Sequence, residues 1–140
     1  MRGDWQDKLY AAHVEKTIKA KGKERPVYEY LGHEYESKLE MHYAMELERQ
    51  RMLGVPIRWW PHPCKLRLAK ATTYTPDFLV NDYQTGKLTF IEVKGSWRAP
   101  HQEDSRVKIK MAAEIHKWAS FVAATPVKAK DGGGWKMESF

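Results

Sequence analysis

The sequence predicts an α/β protein with a mixed central β-sheet flanked by helices, and three observations support this prediction. The chain has 140 residues, of which 42% are hydrophobic and 30% charged, as in a globular domain rather than a disordered chain. Short segments rich in strand-forming residues alternate with two stretches whose apolar residues recur at helical spacing. The second helical stretch precedes a buried strand, which favours a parallel pairing in an otherwise antiparallel sheet.

An N-terminal helical arm is predicted over residues 1–26, followed by a single domain over residues 27–140. Asp4 can cap a helix over residues 5–20, although its apolar pattern is only moderately amphipathic. Pro26 follows as a helix breaker. The arm could pack on the domain, exchange between subunits or stay mobile, and the sequence does not decide between these alternatives.

A small hairpin and the first helix of the domain come next. Residues 27–35 alternate and contain strand formers on both sides of Gly32, which supplies the turn. Ser37 and Glu40 have the spacing of a capping box, so a helix should begin there. It should end at Gly54, because glycine favours the left-handed conformation that terminates helices.

Four short β-strands are predicted after this helix. Each is rich in strand-forming residues, and they span residues 57–60, 65–69, 73–80 and 88–94. Gly86 lies in a turn between the last two, and Asp82 is predicted to be a turn residue. These two strands should therefore be adjacent and antiparallel.

The second helix is predicted over residues 104–118, with Asp104 or Ser105 as its cap. Its apolar side would consist of four residues at helical spacing: Val107, Met111, Ile115 and Trp118. A buried strand over residues 119–124 and a final strand over residues 135–140 complete the sheet.

Two acids lie where the predicted hairpin can bring them together. Asp77 lies near the end of one strand and Glu92 near the corresponding end of the other, so one cation could bind both carboxylates. Alternation along the strand places Lys94 on the same face as Glu92. Burial of an unpaired charge is costly, and Mg²⁺ would compensate it while leaving coordination sites for water and phosphate. The alternative is an ordinary strand with a solvated face.

These residues carry a resemblance to a known family. Pro76 and Asp77, followed by Glu92, Val93 and Lys94, resemble the motif of the PD-(D/E)XK nuclease superfamily. The resemblance implies a restriction-endonuclease-like core and metal-dependent hydrolysis of phosphodiester bonds.

The residues around the motif resemble a smaller group of proteins within the superfamily. Residues 74–78 together with residues 92–95 are similar to phage endonuclease I, a Holliday-junction resolvase that acts on branched DNA. The hairpin and helix start before them resemble small phage proteins of the same superfamily. The resemblance covers roughly residues 27–125.

The superfamily's site residues can be assigned by position. Asp77 and Glu92 would bind Mg²⁺, with Mn²⁺ as a substitute, and the backbone carbonyl of Val93 would be a further ligand. Glu40 would complete the acidic cluster. Lys94 would orient or help to deprotonate the attacking water and stabilise charge on the phosphate.

Glu40 also has a purely structural interpretation, because a glutamate three residues after Ser37 often only closes a capping box. One carboxylate cannot both bond the Ser37 amide and bind the metal. Glu36 would replace Glu40 as the third acid if Glu40 only caps the helix.

The resemblance also implies that a residue of the second helix contacts the scissile phosphate, with Lys108 preferred to Lys110. The net charge of +6 is compatible with a DNA partner. Further basic residues would attract phosphate groups without specific contacts: Arg98, His101, Arg106 and Lys117.

The sequence thus predicts a Mg²⁺-dependent DNA endonuclease acting on branched or replicating DNA. The alternatives are an inactive DNA-binding module on the same scaffold and a small phage interaction protein. Cutting two strands favours a homodimer. No apolar run suits a membrane helix, and the single cysteine, Cys64, favours a reducing cytoplasm, that of the bacterial host if a phage encodes the protein. His62, Cys64 and His101 lack the spacing of a structural zinc site.

Overall fold

The computed structural model describes residues 16–20, 23–98 and 102–140. In this part of the chain the protein has an α/β fold with a mixed central sheet and two α-helices, as the sequence predicts. Neither helix is long and apolar enough to cross a membrane. The chain divides into two compact units, residues 1–46 and 47–140, so the predicted boundary after residue 26 falls inside the first unit.

The first unit contains a three-stranded antiparallel sheet. Its strands, in spatial order, are β1 (Lys16–Ala20), β2 (Lys23–Tyr30) and β3 (His33–Tyr35). The predicted hairpin over residues 27–35 is confirmed. Leu31 and Gly32 form its turn with φ values of 51° and 78°, and two positive φ values in succession are typical of a tight hairpin turn.

The predicted N-terminal helix is wrong where it can be compared with the structure. Residues 16–20 form β1, which pairs with β2 in antiparallel register. The β-branched residues Thr17 and Ile18 favour a strand, and the pairing with β2 satisfies the backbone. Pro26 lies inside β2 opposite Thr17 rather than breaking the chain there. The earlier part of the predicted helix lies outside the described residues.

Helix α1 (Lys38–Met52) begins and ends as predicted and contributes residues to both units. The backbone N–H of Glu40 donates to Ser37 Oγ at 3.1 Å, and that hydroxyl lies 3.3 Å from Glu40 Oε1. Gly54 has a φ of 93°, which is the left-handed conformation expected just beyond a helix.

The second unit contains a five-stranded mixed sheet. Its strands are β4 (Ile57–Pro61), β7 (Phe78–Asp82), β8 (Leu88–Val93), β9 (Ser120–Pro126) and β10 (Trp135–Ser139). Their spatial order is β10-β9-β8-β7-β4, and only β8 and β9 are parallel. Helix α2 (Gln102–Ile115) connects the parallel pair, as a crossover must. A separate hairpin consists of β5 (Leu66–Ala69) and β6 (Thr72–Tyr74).

The single strand predicted over residues 73–80 is in fact two strands, since β6 ends at Tyr74 and β7 begins at Phe78. Pro76 lies between them and is fully buried. Proline cannot donate a backbone hydrogen bond to a sheet, so the chain leaves one sheet there and enters another. The break places Asp77 immediately before β7.

Helix α2 packs on β5, β6 and β9 through a different side from the one predicted. Ile109 and Ala112 are buried, whereas the four residues of the predicted apolar side are exposed: Val107, Met111, Ile115 and Trp118. The small Ala112 side chain permits close approach of the helix to the strands. The helix also starts at Gln102, so Asp104 and Ser105 lie in its first turn rather than at its cap, and Trp118 lies beyond its end.

Candidate active site

Three polar residues occupy one row across neighbouring strands. The register of β4 with β7, extended by one residue, places His62 opposite Asp77. The register of β7 with β8, also extended by one residue, places Asp77 opposite Glu92. A backbone hydrogen bond confirms the pairing of His62 with Asp77, because the His62 N–H donates to the Asp77 carbonyl at 2.8 Å. Residues directly opposite in a sheet project from the same face, so the register places these three side chains on one face of the sheet.

Asp77 is held by the strand that carries the second acid. Its Oδ2 accepts a hydrogen bond from the backbone N–H of Val93 at 2.7 Å. On its other side, an oxygen of its carboxylate and a ring nitrogen of His62 lie within 4.8 Å of one another. The carboxylate is therefore bonded to the end of β8 and lies close to the residue that follows β4.

Glu92 is a buried charged residue, with 7% of its surface exposed. Its Oε2 accepts a hydrogen bond from the Tyr74 hydroxyl at 2.8 Å, and its Oε1 lies 3.0 Å from the Lys94 ammonium. The charge of Glu92 is thus balanced inside the protein. Burial alone therefore does not require a cation here, contrary to the reasoning from the sequence.

Lys94 connects the row to helix α2. Besides the ion pair with Glu92, its Nζ lies 3.4 Å from Ser105 Oγ. Lys94 is half-buried. It lies on the same face as Glu92, as the alternation of side chains along the strand predicts.

Tyr74 is a site residue that the sequence reasoning missed. Burial raises the pKa of its phenol strongly, and Glu92 and Asp77 add to that effect. The hydroxyl therefore stays protonated and acts as a donor to Glu92. The signal was available, because a buried tyrosine needs a partner for its hydroxyl and two acids follow Tyr74 in the motif.

Glu40 lies in the first turn of α1, where it takes part in the cap with Ser37. Its predicted role as a metal ligand stays a prediction, and so does the role of the Val93 carbonyl. The exposed Glu36 remains the alternative third acid.

Arg106, predicted to attract phosphate, is part of a surface clamp. Its guanidinium forms two hydrogen bonds to the Glu138 carboxylate. It also lies over the rings of Trp97 and Phe140, at 5.1 and 5.2 Å from their centroids. We call Arg106, Glu138, Trp97 and Phe140 the surface clamp. Its contacts connect α2 to β10 and to Phe140, which follows it.

The two candidate lysines of α2 lie on different sides of the helix, and both are exposed. Lys108 is three residues from Ser105 and Lys110 four residues from Arg106, and residues at these spacings are neighbours on a helix. Lys108 is therefore on the side that faces Lys94, and Lys110 is on the side of the surface clamp.

The other residues singled out in the sequence have simpler positions. Arg98 is exposed, and its N–H donates to Ser96 Oγ. Asp82 is a turn residue as predicted, since its Oδ1 accepts two backbone N–H groups of the following turn at 2.9 and 3.1 Å. Cys64 is exposed, and His101 lies outside the described residues.

The donor set of the row suits a divalent cation. Two carboxylates supply oxygen ligands of the kind that Mg²⁺ and Mn²⁺ accept, and an imidazole supplies a nitrogen. In comparisons with known proteins, no family model, no curated protein and no solved structure matches this chain significantly. The resemblance to nucleases therefore rests on the motif residues of the sequence.

Proposed function

We propose that this protein is a Mg²⁺-dependent DNA endonuclease that hydrolyses phosphodiester bonds, with branched or replicating DNA as its substrate. One observation carries the proposal: the register of β7 with β8, extended by one residue beyond Phe78, sets Asp77 opposite Glu92, and Lys94 is ion-paired to Glu92. Two acids and a lysine at the end of a hairpin are the groups that metal-assisted phosphodiester hydrolysis uses.

In this proposal some residues bind the cation and others stabilise negative charge on the phosphate. Asp77 and Glu92 hold the cation, the Val93 carbonyl is a further ligand, and Glu40 completes the acidic cluster. A bound divalent cation neutralises charge on the phosphoryl oxygens and lowers the pKa of water. The Lys94 ammonium stabilises the negative charge that develops on the scissile phosphate.

The DNA lies across α2 and the loop before it. Lys108 contacts the scissile phosphate, because it is on the side of α2 that faces Lys94. The exposed Arg98 and Lys110 attract flanking phosphates, whereas Arg106 contributes less, because Glu138 already neutralises it. Binding that depends on such contacts weakens steeply with salt.

The test is cleavage of branched, duplex and single-stranded DNA by the full chain in Mg²⁺, Mn²⁺ or EDTA. We expect cleavage only with a cation, and a loss of at least about 10³-fold in rate in Asp77→Ala and in Glu92→Gln, because each removes a ligand charge. Glu114→Gln, which changes an exposed carboxyl of α2, is the matched control and should cleave at the unaltered rate. Cleavage that persists in both site variants contradicts the proposal.

A second candidate, an inactive DNA-binding module, is favoured by one observation. Both carboxylate oxygens of Glu92 already have partners, Tyr74 and Lys94. Such a module would bind DNA in a salt-dependent manner and would not cleave it with any divalent cation.

A homodimer belongs to the proposal for branched DNA, because two strands must be cut and two active sites serve that purpose. Sedimentation of the full chain at micromolar concentration, with and without a four-way DNA junction, measures the stoichiometry. A single protein chain on each junction would contradict this part of the proposal.

A further inference from the structure

His62 has a backbone conformation that a residue at the end of a strand does not ordinarily need. Its φ is 43°, in the left-handed region that residues other than glycine rarely adopt. It directly follows β4, and its N–H donates to the Asp77 carbonyl at 2.8 Å, so the sheet holds this conformation in place. Backbone strain of this kind clusters at functional sites.

The side chain of His62 lies beside that of Asp77. A ring nitrogen of His62 and a carboxylate oxygen of Asp77 lie within 4.8 Å of one another. Two ligands bound at ~2.1 Å to a single ion are at most about 4.2 Å apart. A small rotation of either side chain therefore places both on one cation.

The neighbouring acid explains why a third donor matters. Tyr74 and Lys94 each bind one oxygen of Glu92, so part of the donor capacity of Glu92 is already used within the protein. An imidazole in the same row adds a donor without adding negative charge.

We propose that His62 ligates the same cation as Asp77 and Glu92, and that its imidazole makes the site prefer a transition-metal cation such as Mn²⁺ to Mg²⁺. This inference rests on the proposed function, since it concerns the same metal site. Mg²⁺ takes oxygen ligands almost exclusively, whereas imidazole nitrogen binds transition metals well. Reasoning from the sequence did not assign His62 to this site, because Asp77 precedes a different strand from the one that His62 follows.

The experiment is titration of the full chain with Mn²⁺ alone, followed by electron paramagnetic resonance, with spin-echo modulation to detect a directly bound nitrogen. His62→Asn is the test variant, because asparagine also tolerates the left-handed conformation. His33→Asn changes an exposed histidine of β3 and is the control. Asp77→Asn reports whether the site exists at all, and circular dichroism checks that each variant folds.

We expect Mn²⁺ bound to the unaltered chain to show nitrogen modulation that His62→Asn loses. The affinity of that variant should fall by at least about tenfold, with a smaller loss for Mg²⁺, and His33→Asn should match the unaltered chain. Mn²⁺ binding that depends on Asp77 but is unchanged in His62→Asn overturns the assignment of His62 and leaves the nuclease proposal standing. Failure of the unaltered chain to bind Mn²⁺ or Mg²⁺ overturns both.

Discussion

Two ion pairs that differ in burial lie at neighbouring residues of α2, Ser105 and Arg106. Ser105 faces Lys94, whose ammonium is 3.0 Å from Glu92, and the two charged side chains are only 17% and 9% exposed. Arg106, the next residue, pairs with Glu138, and these side chains are 33% and 37% exposed. We call the first the buried pair and the second the surface pair. One turn of helix therefore borders both.

The comparison shows how little the identity of the charged groups determines their energetic role. In the buried pair each charge has lost water and depends on its partner, so removal of one leaves the other uncompensated. In the surface pair water screens both charges, and either can be solvated alone. Removal of one partner is thus costly in the buried pair and nearly neutral in the surface pair.

The largest expected effect is that of Lys94→Ala. This variant leaves Glu92 buried without its cationic partner, and we expect the free energy of unfolding to fall by about 3–5 kcal/mol. Urea denaturation followed by circular dichroism measures the change. Lys108→Ala, which removes an exposed lysine of α2, is the control and should leave the midpoint unchanged.

A double variant sharpens this prediction. Glu92→Gln combined with Lys94→Met removes both charges, and replacing both partners of a buried pair is often nearly neutral. We expect it to recover most of the stability that Lys94→Ala loses. A double variant as unstable as the single one would show that packing, and not charge, dominates at this position.

The next effect is that of Tyr74→Phe. It removes the hydroxyl that donates to Glu92 at 2.8 Å, and hydrogen bonds to charged groups contribute about 1.5–3 kcal/mol. We expect a loss of this size in urea denaturation. Tyr83→Phe, at an exposed tyrosine, should change stability far less, and equal losses in the two variants would count against the special role of Tyr74.

The buried pair also shows what the sequence could predict. The turn at Gly86 joins two strand-like segments directly, so the adjacency of β7 and β8 follows from local chemistry. The alternation of side chains placed Glu92 and Lys94 on one face, where the structure has them in contact. Local patterns were sufficient because these residues belong to a single hairpin.

Other features depend on contacts that no local pattern encodes. His62 reaches Asp77 because β4 pairs with β7, although the β5–β6 hairpin lies between them in the chain. The orientation of α2 was mispredicted for a similar reason. Val107 and Ile109 both belong to apolar rows at helical spacing, and only packing against β5, β6 and β9 selects the row of Ile109.

The smallest expected effect is that of Glu138→Gln in the surface pair, and its sign depends on pH. The hydrogen bond from Arg106, aided by its positive charge, lowers the pKa of the Glu138 carboxyl. A carboxyl whose pKa is lower in the folded state contributes stability that is present when the pH is above its unfolded pKa, about 4.5. That stability is lost as the pH falls through the folded pKa.

Glu138→Gln should therefore be slightly less stable than the unaltered chain at pH 7 in low salt, and the two should have the same stability in acid. A difference in urea midpoint that is the same at pH 7 and pH 3, or that high salt leaves unchanged, would show that the clamp acts through the stacking of Arg106 on its two aromatic rings rather than through charge.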